Sequence, residues 1–586
     1  MKKIILIGSF LGLFFSGAFS QSSVQLVKDI NPDGDSAPHS FIEANNMMFF
    51  IADDGTHGVE VWVSDGTGQG TTLLKDINPD GSSNPEYFTE CAGKLFFTAD
   101  DGVNGKELWV TDGTEEGTKL TKAIYPSLNN SPDNLKAFKG KLYFSVVAPG
   151  TGRELWVSDG TFEGTNLVKD INPTASSSPH NLFEYNDKLY FVAKNGSLGN
   201  ELWVTDGTES GTHLVKDINE GAAGSDPDQF IECDGKLYFT ANDGVHGFEL
   251  WVTDGTEEGT QMVYDINPQG AFPMNGSYPY NITVFNGKLY FSAYHFEMGH
   301  EFWMSDGTAE GTELVKDINP GSNAYPGLNT GFKEYNGKLY FDASYYTYYT
   351  ELWYTDGTEE GTQMLKDIRS PGDGIPFVNQ KPTVYNDKLF FVADDGVTNK
   401  QLWMTDGTEE GTEILKIIGP DACPAPRLLT IFNDKLFFIA FTSMDNNGLY
   451  ETDGTEQGTL MIEPAGAVNM DPCTGTDEFF EFNDGLYFSA NYTDIGQELY
   501  RIEKWTVDIP KTPQEITFSA YPNPANDRLI IKSPEDAHFT MYDIQGRPVK
   551  SFFVPRYGEI AVDELAPGVY LLEERSTGSV IKIIKN

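Results

Sequence analysis

The stretch Lys106-Glu107-Leu108-Trp109-Val110-Thr111-Asp112-Gly113-Thr114-Glu115-Glu116-Gly117-Thr118 decides the fold, because the chain keeps returning to it. The aspartate of its "DGT" triplet recurs at Asp65, Asp112, Asp159, Asp206, Asp254, Asp306, Asp356, Asp406 and Asp453. These span 388 residues in eight intervals, or about 48.5 per copy, and a degraded tenth copy ends at Glu498-Leu499-Tyr500. A unit this short cannot bury its own faces, so neighbouring copies must stack. Alternation along the quoted strand sends Leu108 and Val110 to one side and Trp109 to the other. Both sides are apolar, so both require cover.

Outward from this stretch, each unit divides into four short strands. A first strand leads into a turn such as Asn286-Gly287 and then a "KLYF" strand such as Lys288–Phe291. The "ELWVTDG" strand follows, and an "LVKDI" strand such as Leu167–Ile171 ends the unit. Four antiparallel strands at this period predict a β-propeller, with a linear β-solenoid as the alternative. Ten "LVKDI"-type strands run from Leu26–Ile30 to Leu460–Ile462, but the first precedes any "KLYF" strand and the last unit has none of its own. The orphan strand Val24–Ile30 would therefore pair with the last blade, closing the ring and removing both sheet edges. The expected architecture is all-β: about ten four-stranded blades closed by the N-terminal strand, then a small C-terminal β-sandwich. Two smaller rings are the main alternative to one ten-bladed ring.

The repeats, covering nearly all of Val24 to Trp505, resemble the family named for its "ELWxxDGT" consensus. That resemblance carries no catalytic residues to transfer. Copies one, eight, nine and ten depart from it at Val61-Trp62, Gln401-Leu402, Tyr450-Glu451 and Tyr500-Arg501.

The two ends read differently. Lys2 and Lys3 precede an apolar run from Ile4 to Phe19, and Ala18 and Ser20 suit cleavage before Gln21, the pattern of a secretory signal peptide. No later run is long enough for a membrane helix, so the mature chain has no predicted transmembrane segment. Beyond a linker with Pro510 and Pro513, strand candidates lie at Leu529–Ile531, Phe539–Tyr542, Val549–Phe552, Ile560–Val562 and Val569–Leu572. Tyr521-Pro522-Asn523-Pro524, Asp527, Leu529, Tyr542-Asp543, Gly546-Arg547, Leu565, Gly568-Val569-Tyr570 and the closing Val580–Lys585 resemble the C-terminal sorting domain of type IX secretion in Bacteroidetes-type bacteria. The resemblance implies that type IX machinery handles the chain, delivering it to the medium or the outer cell surface. The expected organisation is a signal peptide at 1–20, a propeller at 21–506, a linker at 507–517 and the sorting domain at 518–586.

Of 586 residues, 87 are acidic and 40 basic, a formal charge of −47, which argues against a nucleic-acid partner. The eight tryptophans Trp62, Trp109, Trp156, Trp203, Trp251, Trp303, Trp353 and Trp403 hold one position in successive copies. Such regularity suits packing between blades rather than a row of sugar sites. In the "DGT" loops, Gly113 and Gly117 suit positive φ, and Asp112 and Thr114 suit bonds to nearby amides. Asp76 to Asp80 and Asp100-Asp101 place oxygens that calcium could take, yet neither matches the spaced calcium-loop pattern, so no metal ligands are assigned.

Cys423 and Cys473 fall in corresponding loops of adjacent units on an oxidising route, an expected disulfide near the ring closure. Cys91 and Cys233 lie three blades apart and read as buried thiols. His57 and His246, like His39 and His180, recur in equivalent positions without a neighbouring catalytic pattern, so no catalytic residue is assigned.

Strand alternation separates the loops by face. Turns after first and third strands are short and uniform, whereas those after second and fourth strands vary. Variation peaks mid-chain, with Tyr278 and Tyr280 in the exit from the fifth unit, and Tyr294 and Phe296 in the sixth. Tyr345, Tyr346, Tyr348 and Tyr349 crowd the matching turn of the seventh. These aromatics share one face and suit polysaccharide or protein contact. The leading expectation is a secreted or cell-surface binding or adhesion propeller. A structural surface protein without a discrete site is the alternative, and a secreted hydrolase or lyase follows.

Overall fold

The computed structural model describes residues 22–126, 131–268, 275–346, 349–377, 380–419, 424–443, 446–462, 478–492, 495–503, 518–521, 525–534, 536–542, 548–575 and 580–585. The chain forms two compact units, Met1–Glu503 and Lys504–Asn586. The segment proposed as a signal peptide, Tyr348, Cys423 and Cys473 lie outside the described residues.

Ten four-stranded antiparallel sheets make up the described part of the first unit, in chain order but for one. The exception is the last: Phe480–Phe482, Gly485–Ala490 and Glu498–Glu503 take Val24–Lys28 as their fourth strand. Val24 pairs with Ile502 and Leu26 with Tyr500, so the first strand of the chain completes the tenth blade. First strands touch between successive blades from one to six and from eight to nine, and His39–Ala44 of blade one touches Phe480–Phe482 of blade ten. Shared cores join blades six and seven (Phe302 with Phe341), seven and eight (Tyr340 with Phe391) and nine and ten (Phe437 with Phe488). The sheets therefore form a closed β-propeller with first strands innermost.

Packing follows the alternation. Trp109 of blade two is buried with Phe49, Val61, Leu74 and Ile77 of blade one, while Leu108 and Val110 pack toward Leu142 and Phe144 of blade three. Trp156 is half-buried; the other seven tryptophans of the row are buried. Each such ring removes a large apolar area from water at a blade-to-blade joint.

Two polar devices position the loops. The glutamate two residues before the row tryptophan is buried and accepts backbone N–H groups from the segment leaving its own blade. Glu60 accepts Ile77 N (3.3 Å), Ser83 N (2.9 Å) and Ser83 Oγ (2.6 Å). In blade eight Gln401 does the same through its amide oxygen, from Ile418 N at 3.0 Å. In the uniform "DGT" turn, Asp112 Oδ1 accepts both Thr114 N (3.0 Å) and Thr114 Oγ1 (2.7 Å). Gly113 has φ 97°, as expected, but Gly117 is not in the left-handed region. Gly117 is instead required for space, because a Cβ there would lie 1.9 Å from Asp112 Oδ1.

The second unit has a three-stranded sheet of Ser519–Tyr521, Arg528–Lys532 and Tyr557–Ala561. Its other sheet, of Pro548–Val554, Ala537–Tyr542, Gly568–Glu574 and Val580–Lys585, is four-stranded. Leu529 and Ile531 from the first share a core with Phe539, Met541, Val554 and Leu572 from the second, making a β-sandwich.

Candidate functional site

A cavity of about 410 Å³ lies between blades five and six on the variable face, lined by Asp226, Asp228, Gln229, Thr240, Phe248, Tyr278, Pro279, Tyr280 and His300. Its floor comes from the innermost strand of blade five, Asp228–Cys233, where the register slips between Asp228 and Ile231. The slip leaves Gln229 in the left-handed region (φ 53°), and its Nε2 donates to Pro279 O at 3.0 Å. Asn134, Asn181 and Asn281 make the corresponding reach to the next blade elsewhere, so this bridge belongs to the ring. Asp226 and Tyr278 precede prolines in successive blade-entry segments and are both left-handed (φ 46° and 48°). A tyrosine gains nothing locally from that conformation, which more often suits glycine or asparagine. Ser277 N and Tyr278 N both donate to Phe248 O at 3.0 Å, and the Phe248 and Tyr278 rings lie 5.7 Å apart.

His300, from the third strand of blade six, lines one side of the cavity. Its ring sits against Tyr280 (5.7 Å), Tyr294 (5.2 Å) and Tyr325 (5.0 Å). Burial pushes its imidazole down to about 4, so the ring is neutral at physiological pH, and its buried Nδ1 has no hydrogen-bond partner among the described residues. The Tyr280 hydroxyl is likewise pushed up by burial. The two carboxylates of the lining, Asp226 and Asp228, are exposed and oriented by amides. Asp226 Oδ1 accepts Asn200 Nδ2 (2.9 Å), while Asp228 Oδ1 accepts Gln229 N (2.8 Å) and Asn181 Nδ2 (3.2 Å).

Of the aromatics expected to bind ligand, Tyr278 and Tyr280 line this cavity and Tyr294 supports it through His300. The Phe296 ring lies tilted against His295 (4.9 Å) and is exposed. Tyr345, Tyr346 and Tyr349 form a separate patch on blade seven, where Tyr345 meets Trp353 and Tyr346 is 74% exposed. Phe248, Tyr325, His300 and the two aspartates escaped the sequence reading. Phe248 occupies a position that is Lys106 in blade two and Arg153 in blade three, and comparing the copies column by column would have exposed it.

Of the acidic loops considered for calcium, the Asp100-Asp101 turn uses its oxygens on itself, with Asp100 Oδ1 accepting Gly102 N and Asp101 Oδ1 accepting Val103 N and Asn104 N. Asp76 Oδ1, by contrast, is buried without a hydrogen-bond partner among the described residues. Among the described residues no group of three or more His, Cys, Asp or Glu side chains is arranged to hold a metal ion. His57 and His246 each bond a turn aspartate, Asp54 and Asp243, in equivalent loops.

Residues 519–586 match the family described as the secretion system C-terminal sorting domain, of the type IX system. The protein is therefore a secreted or outer-surface β-propeller carrying a sorting domain. No curated protein matches the chain. Among solved structures it is similar to a puromycin hydrolase at 12% identity and TM-score 0.28, over 72% of this chain and 61% of that one. Two prolyl endopeptidases studied together give 10% identity and TM-score 0.31, over 61% and 54%. Prolyl oligopeptidase B from Galerina marginata gives 10% and 0.31, over 69% and 55%. The chain thus spans between half and two thirds of the length of these structures.

Proposed function

We propose that the propeller is a non-enzymatic binding and adhesion module that meets a surface polysaccharide or protein with the aromatic part of its variable face. The observation that carries this reading is the cavity walled by Phe248, Tyr278 and Tyr280, with Tyr346 exposed on the same face. Aromatic rings offer large contact area at low entropic cost, and a preformed concavity reduces the ordering needed on binding. The resemblance of the repeats to the ELWxxDGT consensus supports assigning the propeller to that group. Residues 1–20 are removed on export, and the sorting domain at 518–586, joined by the 507–517 linker, is recognised by the type IX machinery.

The test is retention of the purified secreted chain on a panel of insoluble polysaccharides and extracellular proteins. Saturable retention, lowered about tenfold or more by Tyr278→Ala and less by Tyr346→Ala, is the expected outcome. Retention by neither class, or retention indifferent to both substitutions, contradicts the reading.

A further inference from the structure

Blades two and three show one way the corresponding volume of blade five can be filled, although the equivalent residue is neither lysine nor arginine in blades one, four, six and seven, where it is Val59, Asn200, His300 and Thr350. In blade two the first-strand Glu86 pairs across the sheet with Thr98, and Lys106 pairs with Asp100. Lys106 Nζ reaches back over the second strand to Glu86 Oε1 at 2.7 Å. Blade three repeats the arrangement, with Arg153 Nη1 on Asp133 Oδ2 at 2.8 Å and on Ser145 O at 3.3 Å. Blade five has the same register, with Asp228 opposite Thr240 and Phe248 opposite Asn242. The acid is retained as Asp228, but the cation has become Phe248, and Asp228, Thr240 and Phe248 all line the cavity. Neither Asp226 nor Asp228 is in an ion pair among the described residues, since their partners are neutral amides. Among the described residues no lysine or arginine lines the space.

We infer that this cavity receives a cationic side chain, the ammonium or guanidinium of a basic peptide segment on a protein ligand, in the place that Lys106 and Arg153 fill in blades two and three. This deepens the proposed binding role and rests on it. The ligand's charge meets the Asp228 carboxylate, with Asp226 as a second acid at the rim, and its stem lies on Phe248 and Tyr278. A cation is attracted both to a carboxylate and to an aromatic face, more strongly where water is partly excluded. Neutral His300 adds no opposing charge to the lining.

The experiment is saturation-transfer NMR on the full secreted chain with N-acetyl-arginine amide, N-acetyl-lysine amide and the uncharged N-acetyl-norleucine amide. Transfer to the arginine and lysine side chains at roughly millimolar affinity, with little to norleucine, is expected. Phe248→Arg rebuilds the internal pair of blade three and should abolish transfer while leaving the melting temperature unchanged or higher. Val397→Arg, the same charge change at an exposed turn of blade eight, should leave transfer intact. Asp228→Asn should weaken it at least threefold. Equal transfer to norleucine, or transfer that survives Phe248→Arg in a folded protein, overturns the inference. If panel retention depends on Tyr278 but not on Phe248→Arg, the binding module stands and the cationic ligand falls.

Discussion

The joint between blades five and six differs from the regular joints on both faces of the ring. At regular joints the lysine of the "LVKDI" strand donates to a backbone carbonyl in the next blade's "DGT" turn: Lys75 to Thr118 O (3.0 Å), Lys122 to Thr165 O (2.9 Å) and Lys169 to Thr212 O (2.7 Å). Lys216, Lys366 and Lys416 continue the series. In blade five the lysine is Tyr264, 40% exposed. On the opposite face the same joint opens into the cavity, bridged by Gln229. A repeat protein can relax its consensus at one joint because the other joints hold the ring, and a site can be built there without reworking the fold.

The largest effect that tests this comparison is on closure. Deleting residues 24–30 removes the fourth strand of blade ten and strips Glu498 of the Ile30 N–H (2.7 Å). The expected result is a fall in melting temperature of more than about 10 °C and loss of a single cooperative transition in calorimetry. An unchanged transition would mean the ring does not depend on its closing strand.

Next in size is the buried glutamate. Glu60→Ala leaves Ile77 N without its acceptor and Ser83 with Val59 O alone, and should cost about 2 kcal/mol in denaturant unfolding. Glu60→Gln should cost less than about 1 kcal/mol, because Gln401 already serves blade eight. Burial pushes the carboxyls of Glu60 and Glu107 up to about 7 and those of Glu249, Glu301 and Glu351 up to about 8, against 4.5 ordinarily. Between those values the folded state holds protons that the unfolded chain has released. Their stabilising contribution is therefore complete below pH 4.5 and is lost as pH rises through 7 to 8. Melting temperature should fall along that limb, and replacing several of these glutamates with glutamine should flatten it. The "DGT" aspartates act oppositely but weakly. Hydrogen bonds from the following threonine hold Asp112 and its counterparts below the usual carboxylate range, so their exposed turns loosen only in acid.

The smallest effects lie at the joints themselves. Lys75→Met should cost about 1 kcal/mol, whereas Tyr264→Lys should supply the missing bond and raise stability by a few tenths of a kcal/mol. Equal responses at the two sites would erase the distinction between regular and relaxed joints.

The period of the "DGT" aspartates, the two-sided alternation around Trp109 and the strand count made the propeller and its closure legible in the sequence. The first two signals are local and recur in nearly every copy, with nine "DGT" aspartates and eight tryptophans in the row, and the strand count follows from them. The site was only half legible. Aromatic enrichment marked Tyr278 and Tyr280, but Phe248 looks like one more apolar residue before Glu-Leu-Trp, and Asp228 like one more acid among 87. Their meaning arises from register, which places Asp228 and Phe248 on two strands separated by a third. Gly117 carries the same lesson, since its demand is the space taken by Asp112, invisible until the turn is closed.

The most direct test of the central claim is hydrogen–deuterium exchange on the full chain, alone and with the panel ligand it retains. The account predicts protection confined to residues 226–229, 275–282 and 294–300, weaker protection near 345–350, and none in the "DGT" turns of the opposite face. Protection centred on the "DGT" turns, or spread evenly over all blades, would contradict it.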